Sequence, residues 1–288
     1  MTDRLINIGL KLYIILSFGF IFLPIVALVV FAFNDSRFPS LPWSGFTTEW
    51  FEAVFSSADW RDSLRNSLAV AAVVAAIATF LGATAGYFVA RWNFRGKGLY
   101  LAVAVLPPCI PLIVLGLAFL IYLKDIGLSG SLTSVVISHV VLASAFALGI
   151  VRMRLTEMDP TLEEAAWNLG ATQWRTIREV VLPQAAPALV ASLLIAAAVS
   201  WDEFVISWFV SGLDVTLPVR IFNELQGQVS ARVNAMGTVV FGVTILLVVL
   251  AQLAVLVWAK TGGRHVGLAG TEAQEDLTEP EQAMAGKV

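Results

Sequence analysis

The amino-acid sequence predicts an all-α membrane protein with six transmembrane helices. Of its 288 residues, 58% are hydrophobic and only 14% are charged, whereas soluble domains carry about a quarter charged residues. A helix needs about 20 apolar residues to cross a bilayer core, and six stretches reach or approach that length. They cover residues 12–33, 67–90, 99–123, 132–151, 186–210 and 235–259. Helices are expected because lipid offers the backbone no hydrogen-bond partner and the stretches are too long for barrel strands.

The first apolar stretch follows Arg4 and Lys11 and therefore has the layout of a secretory signal peptide. Its 22 residues lack a small-residue cleavage motif at their end, which favours a retained span. Glycines and prolines inside the later stretches, such as Gly82 and Pro107, are tolerated in membranes and indicate kinks or close packing.

The distribution of lysine and arginine predicts that both termini are cytoplasmic. With six spans in this orientation, the cytoplasmic segments hold twelve of these bases and the outer segments hold six, as the positive-inside rule requires. The short turn RWNFRGKG, with three bases and no acid, is the clearest indication. A six-span domain is expected over residues 1–260, followed by a polar tail, 261–288, that is too poor in apolar residues to fold alone.

Two of the expected outer loops are long. Residues 34–66 contain Trp43, Trp50 and Trp60, which suit a membrane interface. In the loop 211–234, Ile221, Leu225 and Val229 recur every four residues, and this spacing predicts a short amphipathic helix.

The expected cytoplasmic loop 152–183 has the signals of two short helices. Thr161 and Glu164 have the spacing of a capping box, and Asp159-Pro160 offers an earlier start. The apolar positions that follow share one face, and Gly170 suits the helix end. Thr172 can cap a second helix with Trp174, Ile177 and Val181 on one face, and Leu182-Pro183 is expected to end it. The alternative to a functional role is that the loop is an amphipathic connector lying on lipid headgroups.

The residues of this loop resemble the signature of integral membrane permeases of ABC importers. Here Glu164-Ala165-Ala166 is followed after three residues by Gly170 and after nine more by Val180-Val181-Leu182-Pro183, with valine in place of the usual isoleucine. The resemblance implies a type I importer permease of the bacterial inner membrane, with a coupling helix between spans four and five that enters a cleft of the ATPase.

The same resemblance implies a set of partners. The chain contains no G-x-x-x-x-G-K-[ST] phosphate loop, so an ABC ATPase dimer would supply ATP hydrolysis and hold the ATP and Mg²⁺, and this chain itself would need no cofactor. A second permease subunit, expected to be homologous, an extracytoplasmic solute-binding protein and membrane lipids complete the set. The residues expected to contact the ATPase are Glu163, Glu164, Ala165, Ala166, Leu169, Gly170, Ala171, Trp174 and Arg175.

A second polar segment, SWDEFVISWF, lies near the end of the fifth apolar stretch. Asp202 is 16 residues beyond Ala186, or about 24 Å into a core of about 30 Å. Ionisable residues at such depth usually face a bundle interior or a water-filled path. Carboxylates beside aromatic rings suit an organic cation; the alternative is that the acids cap the helix or pair with another subunit. The candidate pathway residues are Ser200, Trp201, Asp202, Glu203, Trp208 and Trp50.

The amino-acid sequence of this segment is similar to that of permeases in the spermidine/putrescine branch of the family. In that branch an S-x-[DE]-[DE] motif is associated with polyamine uptake. Ser200, Asp202 and Glu203 match it, and Trp50 in the first outer loop is also similar. One departure is LPPCIP in the third stretch, where Cys109 stands in place of an acid. Permeases for aminophosphonates, opines or thiamine are therefore alternatives within the family.

Other classes of protein fit the sequence less well. A secondary transporter would be expected to show inverted repeats with midplane charges, and an intramembrane enzyme a catalytic or metal motif. With one cysteine and two histidines, no disulfide framework, metal site or catalytic set is predicted, nor is a basic patch for nucleic acid. Cys109 and His139 are expected to be packed or hydrogen-bonded residues.

Overall fold

The computed structural model describes residues 2–38, 40–227, 230–253 and 256. In these ranges the chain is helical, with one isolated antiparallel bridge between Asn34 and Phe46 and no further strand. This confirms the predicted all-α class. The helices are α1 (Thr2–Phe31), α2 (Glu49–Ser56), α3 (Ala58–Arg91), α4 (Lys97–Ala104), α5 (Leu112–Asp125), α6 (Leu132–Glu157), α7 (Thr161–Asn168), α8 (Gln173–Thr176), α9 (Leu182–Asp202), α10 (Val205–Val210), α11 (Leu217–Gly227) and α12 (Ala231–Leu253).

Five helical segments are long and apolar enough to cross a membrane: Ile6–Phe31, Ala58–Arg91, Leu132–Glu157, Gln173–Asp202 and Ala231–Leu253. They correspond to five of the six predicted spans. The predicted third span, 99–123, is divided between α4 and α5 by a 3₁₀ turn, Pro107–Cys109. Pro107, Pro108 and Pro111 explain the division, because proline donates no backbone hydrogen bond and pushes its predecessor out of helical geometry.

The chain divides into two compact units. Of the described residues, the first unit comprises those within 2–74, 106–143 and 197–246, and the second comprises those within 75–105, 144–196 and 247–256. The predicted tail, 261–288, lies outside the described residues.

In the first unit, α5 packs on α10. A side chain at Gly116 would bring its Cβ to 2.7 Å from the Phe209 ring, so glycine permits the close approach of these helices. The segment before α11 is held to α3, because the Leu217 amide donates to Ser67 Oγ at 2.7 Å and Asn66 donates to the Val215 carbonyl at 3.2 Å. The helix α11 confirms that this loop contains a short helix. Of the predicted apolar positions, Ile221 is half-buried and Leu225 is exposed, and Val229 lies outside the described residues.

Two further expectations for the first unit are wrong. Trp60, predicted for the membrane interface, is 1% exposed, because it is packed within the chain at the start of α3. Cys109, expected to be packed, is exposed, because the proline-rich 3₁₀ turn carries it out of helix packing.

In the second unit, α3 and α6 lie in close contact. A Cβ at Gly82 would be 2.5 Å from Ala147 Cβ and 2.6 Å from the Leu148 amide nitrogen, so this glycine marks the close packing that the sequence indicated. An apolar core lies between these helices and α9. It consists of Val151, Leu155, Met158, Val181 and Ala185, with Ala83, Tyr87, Ala90 and Leu189 packed against it.

Candidate functional site

The eight-residue helix α7 begins after a proline and is capped by an aspartate. Asp159 Oδ1 accepts a hydrogen bond from the Thr161 amide at 2.9 Å, and this bond holds the pKa of the Asp159 carboxyl below its usual value. The predicted capping box of Thr161 and Glu164 is wrong, since Thr161 is already the first residue of the helix and Pro160 precedes it. The earlier start at Asp159-Pro160 is the one that the chain uses.

The end of α7 is a Schellman motif around Gly170. Its φ is +84°, a left-handed conformation that favours glycine. The Gly170 amide donates to the Trp167 carbonyl at 2.9 Å, and the Ala171 amide donates to the Ala166 carbonyl at 3.0 Å, which is the bonding pattern of this motif. Thr172 then caps α8, because its Oγ1 accepts from the Arg175 amide at 3.3 Å. Both sequence predictions for this turn are confirmed.

Large apolar side chains are exposed along α7 and α8. Leu169 is 89% exposed and Trp174 is 70% exposed. Glu164 and Ala165 are exposed as well, while Ala166 and Ala171 are half-buried. The exposed Arg175 pairs with Glu179 at 3.0 Å. Most of the residues expected to contact an ATPase therefore lie on one accessible stretch of chain.

Glu163 departs from that expectation. It is 3% exposed, and its carboxylate accepts from Arg91 Nε at 2.6 Å and from the Tyr87 hydroxyl at 2.9 Å. The charge of Glu163 is thus paired inside the chain, because α7 turns this face toward α3.

The helix after α8 does not end at Pro183, contrary to the prediction. A π-helical segment, Ile177–Val181, joins α8 to α9, and the Leu182 amide donates to the Ile177 carbonyl five residues earlier. Pro183, which donates no backbone amide, directly follows this segment, where the regular i→i−4 hydrogen-bond pattern is already interrupted. The predicted apolar face is divided, since Val181 is buried while Trp174 is exposed.

The acidic segment lies where α9 ends and α10 begins. Glu203 is 6% exposed, and its carboxylate accepts from the Ile206 amide at 3.0 Å and the Ser207 amide at 3.1 Å. It therefore caps the first turn of α10, a favourable place for a negative charge. The break in the helix also separates Trp201 of α9 from Trp208 of α10.

A buried polar cluster surrounds Glu203. His139 Nδ1 lies 2.9 Å from Ser200 Oγ, and His139 Nε2 lies 2.9 Å from Ser207 Oγ. His139 is 1% exposed and Ser200 is 5% exposed. The expectation of a hydrogen-bonded His139 is confirmed, and the cluster satisfies polar groups that would otherwise be costly to bury.

Asp202 and Glu203 are adjacent in sequence but differ in environment. Asp202 is exposed and accepts a hydrogen bond from Thr244 Oγ1 of α12 at 2.8 Å. Trp201 is 1% exposed, with its indole nitrogen 3.3 Å from the Val240 carbonyl. Of the predicted acid–tryptophan cluster in α9, only the Asp202 carboxylate is thus presented outward in this chain.

The two remaining pathway candidates lie apart from Asp202. Trp208 is exposed and contacts Phe222 of α11 edge to face, with the ring centroids 5.9 Å apart. Trp50 donates its indole hydrogen to the Asn34 carbonyl at 2.8 Å and lines a recess beside Asn223 and Glu224 of α11. Both tryptophans are therefore positioned around α11.

A sequence model of one protein family, the binding-protein-dependent transport system inner membrane component, matches residues 78–259. The chain belongs to this family. It is therefore the membrane-spanning permease component of an ABC importer and a multi-pass protein of the bacterial inner membrane, and the ATPase is a separate subunit.

Curated relatives of this permease include two polyamine transport proteins of Escherichia coli strain K12. The spermidine/putrescine transport system permease protein PotC is 30% identical over 254 residues, which are 88% of this chain and 95% of the relative. The putrescine transport system permease protein PotI is 30% identical over 238 residues, which are 80% and 84% of the two chains. The PotC protein of Haemophilus influenzae is 31% identical over 84% of this chain and 94% of its own.

Solved structures share the fold of the permease. A chain of the bacterial ABC transporter for the acidic polysaccharide alginate is 19% identical and superimposes with a TM-score of 0.68 over 87% of this chain and 94% of its own. A chain of the methionine ABC transporter MetNI, in an inward-facing conformation, is 23% identical with a TM-score of 0.56 over 75% of this chain and 99% of its own. The architecture predicted from the sequence resemblance is therefore confirmed at the level of the fold.

Three residues at these sites carry roles that the sequence did not indicate. In the sequence Arg91 is one base of the RWNFRGKG turn, Tyr87 belongs to an apolar stretch, and Thr244 is one hydroxyl in another apolar stretch. Their partners are 72, 76 and 42 residues distant in sequence. A base placed at the very end of an apolar stretch is the one signal that could have singled out Arg91.

Proposed function

We propose that this permease imports a polyamine such as spermidine or putrescine, received from an extracytoplasmic binding protein and driven by a separate ATPase. The observation that carries the cargo assignment is the identity of about one residue in three to polyamine permeases along nearly the whole chain. Permeases for aminophosphonates, opines or thiamine are the alternatives, because Cys109 occupies the position where an acid would support a cationic cargo.

Asp202 is the residue we propose to attract the cargo. Its carboxylate is exposed, and one of its oxygens accepts from Thr244, so lone pairs are left for a further donor. A protonated amine donates up to three hydrogen bonds to such a group, and the charge strengthens each of them. Glu203 supports this site indirectly, since it fixes the start of α10.

We propose that α7 and the turn after it dock into the ATPase subunit. The support is the exposure of Leu169 and Trp174, two large apolar side chains, beside the Glu164 carboxylate. Apolar residues exposed together are typical of protein interfaces. The full transporter in this proposal holds an ATPase dimer with its ATP and Mg²⁺ and a second, homologous permease, so that two copies of this loop type face two ATPase subunits.

The test is uptake by the assembled transporter in proteoliposomes, with ATP inside and binding protein outside. Radiolabelled spermidine and putrescine are expected to accumulate only with ATP. Asp202→Asn is expected to reduce this uptake by about ten-fold or more, as loss of a charged hydrogen-bond partner would. Asp214→Asn, which neutralises another exposed carboxylate, is the matched control. ATP-dependent uptake of a neutral or anionic solute in place of polyamines would contradict the cargo assignment.

A second measurement tests docking. Leu169→Asp places a charge on the most exposed apolar residue of the turn and is expected to abolish co-purification of the ATPase. Leu213→Asp, at a residue 99% exposed in the segment before α11, is the control and should leave co-purification unchanged. Equal retention of the ATPase by both variants would contradict the docking role.

A further inference from the structure

Arg91 joins three helices through one guanidinium group. It lies at the end of α3, and its Nε donates to Glu163 Oε1 of α7 at 2.6 Å. Its Nη1 donates to the Leu155 carbonyl of α6 at 2.9 Å. The Arg91 side chain therefore connects the end of α3 to the last turns of α6 and to the first turn of α7.

The bonds to Glu163 are directional and shielded from water. The Tyr87 hydroxyl donates to the second carboxylate oxygen of Glu163 at 2.9 Å, so both oxygens are held by α3. The side chains of Arg91 and Glu163 are 12% and 3% exposed. Burial strengthens electrostatic interactions, because the surrounding dielectric constant is low.

The guanidinium also has one nitrogen without a partner. Arg91 Nη2 is buried, and among the described residues it has no hydrogen-bond acceptor. The position of Arg91 is therefore set by Glu163 and Leu155, in a fork geometry that lysine cannot reproduce.

Glu163 is the residue through which α7 is hydrogen-bonded to α3. In the described part of the chain, no other side chain of α7 makes a hydrogen bond to α3 or α6. At its ends, α7 is bounded by Pro160 and by Gly170 with its positive φ. Next to Glu163, Glu164 is exposed, so of these neighbouring carboxylates only that of Glu163 is enclosed by the chain.

We propose that the Arg91–Glu163 ion pair is the mechanical link that makes the ends of α3 and α6 follow α7, and that Glu163 is a positioning residue rather than an ATPase contact. This inference rests on the proposed docking of α7. An ATPase that displaces the exposed side of α7 pulls on α3 through Glu163, and the fork of Arg91 passes the displacement to α6. Without the link, displacement of α7 is not passed to α3 and α6 through side chains, and the work of ATP hydrolysis is lost.

The first test of the link measures the distance between α7 and the end of α3, which should be the same in every nucleotide state. Spin labels at Asn168→Cys and Arg95→Cys, both exposed positions, report the separation of α7 from the end of α3 in the assembled transporter. Cys109→Ser removes the native exposed thiol. We expect one narrow distance distribution, identical without nucleotide and with ATP and vanadate. In Arg91→Lys the distribution should broaden and become dependent on the nucleotide.

The second readout is the number of polyamine molecules imported per ATP hydrolysed. In Arg91→Lys we expect this ratio to fall about ten-fold, within the usual range of coupling between sites, while the ATPase still co-purifies. Arg152→Lys makes the same exchange at an exposed position of α6 and should change neither readout. Glu163→Asp withdraws the carboxylate by one methylene and serves as a second variant if Arg91→Lys fails to fold.

Three results would overturn the inference. One is a distance between the two spin labels that changes with nucleotide even when Arg91 and Glu163 are both present. Another is an Arg91→Lys variant whose label distance and import ratio equal those of Arg152→Lys. The third is loss of the ATPase from Glu163→Gln to the same extent as from Glu164→Gln, which would make Glu163 a contact. If polyamines are not imported at all, the cargo proposal fails, but the label distances still decide on the link because they need only ATP and vanadate.

Discussion

His139 Nε2 lies 3.3 Å from Glu203 Oε2, and both side chains are almost completely buried. Glu203 also caps α10, and His139 contacts Ser200 and Ser207. A single buried cluster thus fixes the angle at which α9 gives way to α10. The exposed Asp202 carboxylate is held at this break, so its position depends on side chains that touch no solvent.

The two acids of this segment should have separable effects. Glu203→Ala removes a helix cap, which costs about 1 to 2 kcal/mol, and leaves buried groups without partners. Asp202→Ala removes an exposed acid and should leave stability nearly unchanged while polyamine uptake falls. Thermal unfolding of the purified permease complex measures the first effect and uptake measures the second. Equal melting temperatures for the two variants would show that Glu203 is no structural cap.

Gly170 should tolerate asparagine better than alanine. Its φ of +84° costs an ordinary residue about 1 kcal/mol or more, whereas asparagine adopts this conformation more readily. Because a Cβ at Gly170 meets no atom within 4 Å, the cost is conformational and not steric. Co-purification of the ATPase is expected to decrease in the order Gly170, Gly170→Asn, Gly170→Ala. Equal behaviour of the last two variants would contradict this interpretation.

Two glycines of the second unit provide a matched test of helix packing. In Gly82→Ala the new Cβ would lie 2.5 Å from Ala147 Cβ, so α3 and α6 must separate, at an overpacking cost of about 1 to 3 kcal/mol. In Gly149→Ala the new Cβ meets nothing within 4 Å, and helix propensity alone favours the change. The melting temperature should fall in the first variant only; a similar fall in both would argue against close packing at Gly82.

Two threonines distinguish the predicted cap that forms, at Thr172, from the predicted cap that does not, at Thr161. Thr172→Ala removes the side chain that accepts from the Arg175 amide and should destabilise α8 by about 1 kcal/mol. In Thr161→Ala the cap persists, because Asp159 accepts from the backbone amide of residue 161. Hydrogen exchange of the amides after each threonine is the measurement. Faster exchange after residue 161 than after residue 172 would reverse the assignment.

Features set by short-range physics were predictable from the sequence. Long apolar runs indicated five of the long helices, and the Gly170-Ala171-Thr172 turn followed from residue preferences at helix ends. The predicted third span differs because three prolines divide it. The E-A-A signature led to the correct family, since it specifies residue identities over a long spacing.

Features that depend on distant partners were not predictable. Nothing local distinguishes Glu163 from Glu164, and Arg91, which pairs with the first, is 72 residues away. The same holds for Asp202 and Glu203, whose environments are set by Thr244 and His139. In both pairs the sequence singled out two adjacent acids without separating them, whereas packing decided which one is buried.

The π-helical segment Ile177–Val181 changes the direction in which side chains after it point, relative to those before it. The segment contains one residue more than a regular α-helical turn. This extra residue shifts the angular position of every later side chain by about 100° around the helix axis. Trp174 and Val181 therefore point in different directions although their spacing would place them together. Deleting one residue from this segment would restore a regular α-helix and leave Trp174 and Val181 facing in different directions, because six regular steps of about 100° give the same angle as the seven residues that now span the segment.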